Sequence, residues 1–143
     1  MEVPQEMVLF ADSGGFDFND SEVDTTPEDP LETQRAIGAD IFGTVDLPLS
    51  RDNRPAENQR RVRESTEYAL RASDHHEGDE LLFASVHGYD PETVRNTLRH
   101  LERNGEFDGY ALGSMVPIRT EHEKVTKLIL SARRATDKHL HVY

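Results

Sequence analysis

Short apolar segments alternate with amphipathic helical segments along this chain, and this alternation limits the possible folds more than any other feature. Five segments have the length and apolar content of buried strands, and four helical patterns separate them. The predicted strands run from Val8 to about Asp12 and then over residues 40–46, 81–86, 107–112 and 139–143. Strands that are joined through helices pair in parallel. The sequence therefore predicts a single α/β domain over residues 1–143.

The ends of the predicted helices carry capping signals. Thr26-Pro27-Glu28 and Asp90-Pro91-Glu92 each place a capping side chain, a proline and an acid at a helix start. Gly38 is a typical C-terminal stop for the first helix. Thr120 and Glu123 have the spacing of a capping box, which predicts the start of the last helix.

The apolar faces of the four helices predict which side chains cover the sheet. The second helix is predicted to run from Pro55 to about Asp74 and has the thinnest apolar stripe. The residues predicted to face the core are Leu31, Gln34, Ile37, Val62, Ala69, Leu70, Val94, Leu98, Leu101, Val125, Leu128, Ile129 and Ala132.

Polar residues and glycines close four consecutive predicted strands. They are Asp12, Asp46, His87 and the pair Gly113-Ser114. In a barrel all carboxyl ends of the strands meet at one mouth, whereas in a doubly wound sheet only the ends at the switch point meet. The alternation fits both folds, and the four marked ends favour a partial TIM-type (β/α) barrel. A complete barrel has eight strands, and this chain has about five with four intervening helices.

Each of these residues also has a simpler structural interpretation. Asp12 and Asp46 could cap the turns that follow them, and an isolated histidine such as His87 is more often structural. Gly14, Gly15, Gly88 and Gly113 could serve as turn glycines. The interpretation as a site therefore depends on whether these residues converge.

The charge balance is strongly acidic. The net charge is −12, from 28 acidic and 16 basic residues, and only three of the basic residues are lysine. This composition suits a protein that is solvated at high salt, so we interpret the source as halophilic, with an ordinary acidic cytosolic protein as the alternative. The charge argues against sequence-blind binding to nucleic acid at low salt. Molar salt screens such repulsion within about 3 Å, so a nucleic-acid partner stays possible.

Several classes of site are excluded or disfavoured by composition. The chain has no cysteine, which rules out disulfides, thiolate catalysis and cysteine-based zinc sites within it. No apolar stretch approaches the roughly 20 residues of a membrane span, and no signal-peptide pattern is present, which predicts a cytoplasmic protein without a membrane partner. His75-His76 are expected on the solvated surface, and His139 with His141 is weak support for a metal, so no metal site is predicted.

Five sequence blocks follow one another in a specific order. They are Asp12-Ser13-Gly14-Gly15-Phe16, then Thr26-Pro27-Glu28 with Gln34 and Gly38-Ala39-Asp40-Ile41, then Val45-Asp46, then Val86-His87-Gly88, and last Phe107-Asp108-Gly109-Tyr110-Ala111-Leu112-Gly113. Together they resemble the pattern of the tRNA-guanine transglycosylase family, which inserts 7-deazaguanine bases of the queuosine and archaeosine type. The likeness covers nearly the whole chain.

The resemblance implies a TIM-barrel glycosyltransferase that exchanges guanine for a free 7-deazaguanine base in tRNA or DNA. It implies that the catalytic Asp12 contacts the base as acid or base, and that Asp46 accepts from the purine N–H edge. A backbone amide near Gly113-Ser114 would bind the exocyclic oxygen. Ser13 and Gly14 would wrap around a flipped purine, and His87 and Gly88 occupy a strand end of the same pocket.

Three residues depart from the family pattern. His87 stands in place of a glutamine, Ser114 in place of a second glycine, and Asp17 where glutamine commonly follows the aromatic residue. These departures put the identity of the substrate in doubt and point toward a divergent branch of the family, for which DNA and tRNA both stay open as substrates.

The family's covalent nucleophile and zinc ligands lie beyond the strand that residues 139–143 match. The resemblance therefore implies the central part of a barrel, which holds the base-recognition half of the site and no cofactor. We expect a fragment, a split-gene product with a complementary chain, or a decayed paralogue, without turnover in isolation. A non-catalytic purine- or nucleic-acid-binding subunit is the alternative, and an unrelated α/β protein a third. Open strand edges would favour a homo-oligomer or a complementary chain.

Overall fold

The computed structural model of the protein describes residues 7–13, 26 and 29–143. Within these ranges the elements follow the predicted alternation. They are β1 (Phe10–Ala11), α1 (Asp29–Ala36), β2 (Ile41–Gly43), α2 (Pro55–His75), β3 (Leu81–Val86), α3 (Pro91–Asn104), β4 (Gly109–Leu112), a 3-10 turn (Val116–Ile118), α4 (His122–Ala135) and β5 (His139–Val142).

The five strands form one parallel sheet in the order β1-β2-β3-β4-β5. Each strand therefore pairs with its successor in the chain, as in a (β/α) barrel. In a doubly wound sheet the order reverses at a switch point. The structure confirms the prediction of an α/β half-barrel with five parallel strands and four helices.

The outer face of the sheet is covered by the helices. Gln34 of α1 is buried, and its side-chain amide donates to the Gly43 carbonyl at 2.9 Å, which fastens this helix to β2. Burying each large apolar side chain contributes about 1.5–3 kcal/mol, so this layer supplies most of the stability of the fold. The fully buried residues of the strands and helices include Phe42, Leu82, Val86, Tyr110, Leu112, Val94, Leu98, Leu101 and Leu128.

The inner face of the sheet is built in layers. The Phe10 ring lies 5.7 Å from the Phe83 ring and 4.8 Å from the His141 ring, measured between centroids. Phe10 pairs with Ile41, and Ile41 pairs with Leu81. The Phe10 ring therefore contacts a β3 residue, Phe83, that lies two positions beyond its partner in the register. Tilted strands in a barrel have this stagger, and side chains from alternate strands then meet in one layer. β1, β3 and β5 thus share an interior layer.

Several local predictions are wrong. Val8 was expected in a buried strand, but it is 71% exposed because it precedes the first paired residue. Ile37 was expected on the buried face of α1, yet it is 57% exposed because the helix has ended at Ala36. In α2 the buried side chains are Ser65, Ala69 and Ala72, while Val62 and Leu70 are half-buried.

The capping predictions have mixed outcomes. Asp90 caps α3 as expected and accepts from the Thr93 N–H at 2.8 Å, and Gly38 after α1 has a positive φ of 75°. The capping box of α4 is wrong: the N-cap is Glu121, without a side-chain cap, because a preceding 3-10 turn sets the entry of the helix. Pro27 and Glu28 lie outside the described residues.

Candidate functional site

The carboxyl ends of the strands meet at one edge of the half-barrel. Two residues beyond the layer of Phe10, Phe83 and His141 lie Asp12, Ser85 and Tyr143. The Ser85 hydroxyl is 3.3 Å from the Tyr143 hydroxyl. Burial raises the pKa of Tyr143, and the charges of Asp46 and Asp12 raise it further. The mouth layer therefore holds a neutral phenol beside two acids.

Asp46 follows β2 and is the buried acid of the site, with 3% of its surface exposed. Its Oδ1 accepts a hydrogen bond from the Ser13 hydroxyl at 3.3 Å. Its Oδ2 lies 2.7 Å from Nε2 of His87. This second contact lies off the N–H direction and is electrostatic, without the alignment of a linear hydrogen bond. Both carboxylate oxygens are thus held in place.

His87 lies at the end of β3 and is 1% exposed. Its Nδ1 is 2.8 Å from the Ser114 hydroxyl. That hydroxyl also accepts from the Leu49 N–H at 2.7 Å, which directs its own proton toward Nδ1. The arrangement places the imidazole proton on Nε2, the ring nitrogen nearer to Asp46. A continuous polar chain therefore runs from Ser114 through His87 to Asp46.

Gly113 and Ser114 follow β4 and are shaped by close contacts. A Cβ on Gly113 would lie 2.4 Å from Cε1 of His87, so only glycine leaves room for the ring. Ser114 has a positive φ of 61°, which costs a residue with a side chain about 1–2 kcal/mol. The Gly113 N–H donates to the Val86 carbonyl at 3.0 Å. Among the described residues, the Ser114 N–H is therefore the backbone donor at the end of β4 that has no acceptor and could bind a ligand.

Asp12 and Asp46 line one cavity of about 40 Å³. This volume holds a water-sized group and is smaller than a purine ring. Asp12 itself is exposed at the rim, in contrast to the buried Asp46. The remaining wall is mostly apolar and consists of Pro48, Leu49, Ser114, Val116, Pro117 and Tyr143. The two acids predicted from the sequence thus face a common space.

The structure brings together most of the residues predicted for the site. Asp12, Ser13, Asp46, His87, Gly113 and Ser114 converge. Gly88 is separate: it packs against α3, where a Cβ would lie 2.9 Å from Val94, and it lines a neighbouring groove. Gly14 lies outside the described residues, as does Asp17.

Tyr143 and Leu49 are site residues that the sequence analysis did not identify. Tyr143 could have been found from the alternation of β5, because His139, His141 and Tyr143 point to the same face of a strand. Leu49 carries no such signal. Its place follows from the loop after β2, which no local pattern describes.

No group of three histidine, aspartate or glutamate side chains converges as a metal site within the part of the chain that the structure describes. His141 stacks on Phe10. None of the helices in the described ranges combines the length and apolar character needed to traverse a bilayer.

Comparison with known proteins gives a consistent result. Residues 5–143 match the family described as queuine tRNA-ribosyltransferase. The chain is 24% identical to the tRNA-guanine(15) transglycosylase of Methanococcus aeolicus over 96% of its length, and 30% identical to that of Haloarcula marismortui over 80%. It is 28% identical to that of Haloferax volcanii over 94%. The matches span 22%, 24% and 27% of these relatives, about a quarter of their length.

Proposed function

Because this chain belongs to the queuine tRNA-ribosyltransferase family, we propose that it carries the base-recognition half of a transglycosylase site. The proposed reaction exchanges guanine in tRNA or DNA for a free 7-deazaguanine base. The observation that carries the proposal is the shared cavity of Asp12 and Asp46 at the mouth of the half-barrel. An exposed and a buried acid in one cavity suit two different tasks, proton transfer and recognition.

The chemistry assigns a role to each group. Asp46 accepts from the N–H edge of the purine, since its carboxylate is fixed by Ser13 and His87. The Ser114 N–H donates to the exocyclic oxygen of the base. Asp12 at the rim exchanges a proton with the departing or incoming base. Breaking the N-glycosidic bond leaves positive charge on the sugar, which a further carboxylate traps covalently.

Base entry requires the cavity to open. A cavity of about 40 Å³ has to widen severalfold for a purine. Its apolar walls include Leu49 in the loop after β2 and Val116 at the start of the 3-10 turn, and both lie outside the strands and the long helices. Loops at the carboxyl end of barrel strands commonly move when a ligand binds. We expect the polar chain of Ser114, His87 and Asp46 to stay in place during this opening.

The proposal also concerns the catalytic groups that residues 1–143 lack and the environment in which the protein works. The resemblance to the family implies that the covalent nucleophile and the zinc ligands lie outside the matched residues, so we propose that residues 1–143 by themselves bind base without exchanging it. The acidic composition supports a halophilic, cytoplasmic source.

Calorimetry with 7-deazaguanine at molar KCl tests the proposal. Asp46→Asn should weaken binding by about 1–3 kcal/mol, because the purine N–H then faces an amide that can no longer accept as a carboxylate does. Asp137 is an exposed acid that lies two residues before β5, and Asp137→Asn makes the same charge change at the other end of the strands. Absence of binding by the unmodified chain, or equal loss in both variants, would contradict the proposal.

A further inference from the structure

A second, larger cavity lies beside the cavity that Asp12 and Asp46 line, which we call the base cavity. This groove of about 680 Å³ runs between the loop after β2, the start of α2 and the start of α3. Its polar walls include Arg51, Asn53, Gln59 and Arg63. Leu49 lines both the groove and the base cavity, so the two spaces adjoin. The volume is within the roughly 300–1,000 Å³ of pockets that bury ligands of drug size.

The groove is lined by a locally basic segment of an acidic chain. Residues 51–63 contain five arginines and two acids, whereas the whole chain has a net charge of −12. Arg60 binds Glu57 and Glu64, and Arg61 binds Glu57, so these two are satisfied within α2. Arg63 is exposed and has no ion pair or hydrogen bond within the described residues. It is the cation that this groove offers to a ligand.

Two acids near the groove are engaged elsewhere. Asp90 accepts from both the N–H and the hydroxyl of Thr93, at 2.8 Å and 2.6 Å, and so serves the start of α3. Glu121 forms an ion pair with Arg51, which restrains that arginine at the rim. The groove therefore offers Arg63 as its available charge.

An aromatic side chain forms the wall nearest the base cavity. The Tyr89 hydroxyl donates to the Leu49 carbonyl at 3.0 Å, and Lys124 lies 5.1 Å from the centre of its ring. Burial raises the pKa of Tyr89, so the ring stays neutral at physiological pH. Guanidinium groups bind phosphate in a forked geometry, and aromatic rings beside them accept bases or sugars.

We propose that this groove binds the phosphodiester backbone of the strand that flanks the extracted nucleotide. The inference rests on the proposed function, because it takes the base cavity to hold a base that is still attached to a strand. Arg63 contacts a phosphate, while Asn53 and Gln59 are placed to bind the sugar or the same phosphate. The chain thereby attracts a polynucleotide at one place despite its net negative charge.

Fluorescence anisotropy with a labelled single strand tests the groove. The probe is an RNA of about 12 nucleotides, within the site sizes of single-strand binding proteins, and a DNA of the same sequence is measured in parallel. Arg63→Gln should weaken binding about fivefold at low salt. It should also lower the slope of log affinity against log KCl by about 0.7, the value for one lost phosphate contact. The difference between RNA and DNA shows which backbone the groove prefers.

Arg103→Gln is the matched control. Arg103 is an exposed arginine in the last turn of α3, at the opposite end of the strands, so it loses the same charge far from the groove. An equal effect of both substitutions would overturn the proposal, as would absence of strand binding. Competition by guanosine monophosphate at the same concentration as the strand would also overturn it, in favour of a mononucleotide site.

The groove and the base cavity can fail separately. Arg63→Gln should leave the calorimetric affinity for free 7-deazaguanine unchanged, because that ligand carries no phosphate. If the unmodified chain binds the strand through Arg63 but binds no base, the proposed function is wrong and the groove stands. If the unmodified chain binds base, and Arg63→Gln leaves the affinity for the strand unchanged, only the proposal for the groove is wrong.

Discussion

At the scale of single residues, His87 is enclosed by its partners. Its two ring nitrogens face Asp46 and Ser114, and the ring packs on Gly113. His87 was predicted to bind substrate, but it is absent from the lining of the small cavity. We therefore interpret it as a positioning residue that fixes the orientation of Asp46.

Ser114 combines a strained backbone with a satisfied hydroxyl, and two substitutions separate these effects. Ser114→Ala should destabilise the fold by about 1–3 kcal/mol, because the Leu49 N–H and His87 lose their partner. Ser114→Gly loses the same contacts but relieves the positive φ, which should recover about 1 kcal/mol. Urea unfolding measures both values. Equal destabilisation by the two variants would show that the backbone conformation carries no cost.

At the scale of elements, the inner face pairs large side chains with glycines. The Phe83 ring lies over Gly109, where a Cβ would approach it to 2.5 Å. β3 and β4 are in register at these two residues, so the ring fills the space that the glycine leaves. This fit decides how closely the two strands can pack on the interior side.

Gly109→Ala should therefore destabilise the fold by about 1–3 kcal/mol through overpacking. Phe83→Leu, which shortens the opposing side chain, should partly restore stability in the double variant. A thermodynamic cycle from chemical unfolding measures the coupling. Additive effects of the two substitutions would contradict the predicted contact.

The bounds of the strands show which parts of the fold could be predicted from the sequence. β3 was predicted with its observed bounds, because an apolar run between polar loops is a local signal. β2 was predicted to reach Asp46 but ends at Gly43. Beyond Gly43 the Thr44 hydroxyl accepts the Ser85 N–H at 2.9 Å, so a side chain replaces the next ladder acceptor. Such a substitution depends on the neighbouring strand and leaves no local pattern.

The sequence predicted most of the residues that converge at the candidate site, but not the contacts between them. Asp12, Asp46 and His87 were identified because each closes a strand and parallel strands end at one edge. The hydrogen bond between His87 and Ser114 joins positions 27 residues apart, so only the register of β3 with β4 brings them together. The cavity's small volume likewise depends on loop residues such as Leu49 that carry no sequence signal.

At the scale of the whole molecule, the net negative charge is the property that most affects stability. A net charge of −12 on 143 residues is a source of self-repulsion in the folded state. Ion pairs such as those of Arg60 with Glu57 and Glu64 offset it locally. Hydrogen bonds from Arg60 and Arg61 lower the pKa of Glu57 to about 2.

The melting temperature should therefore rise as KCl increases from about 0.1 M to about 1 M, since the screening length falls from about 10 Å to about 3 Å. Calorimetric or fluorescence melts at fixed pH measure this shift. Sucrose at matched osmolality is the control, because it stabilises without screening charge. A melting temperature that is independent of KCl would contradict a halophilic adaptation.

Leu49 connects the two spaces at the mouth through its own peptide groups. Its N–H is donated to Ser114 beside the acids, and its carbonyl accepts from Tyr89 in the groove wall. A ligand that displaces this residue from one contact therefore loosens the other. Binding of the flanking backbone in the groove would consequently lower the work of admitting the extracted base to the cavity, and by linkage the seated base would strengthen binding of the backbone to the same extent.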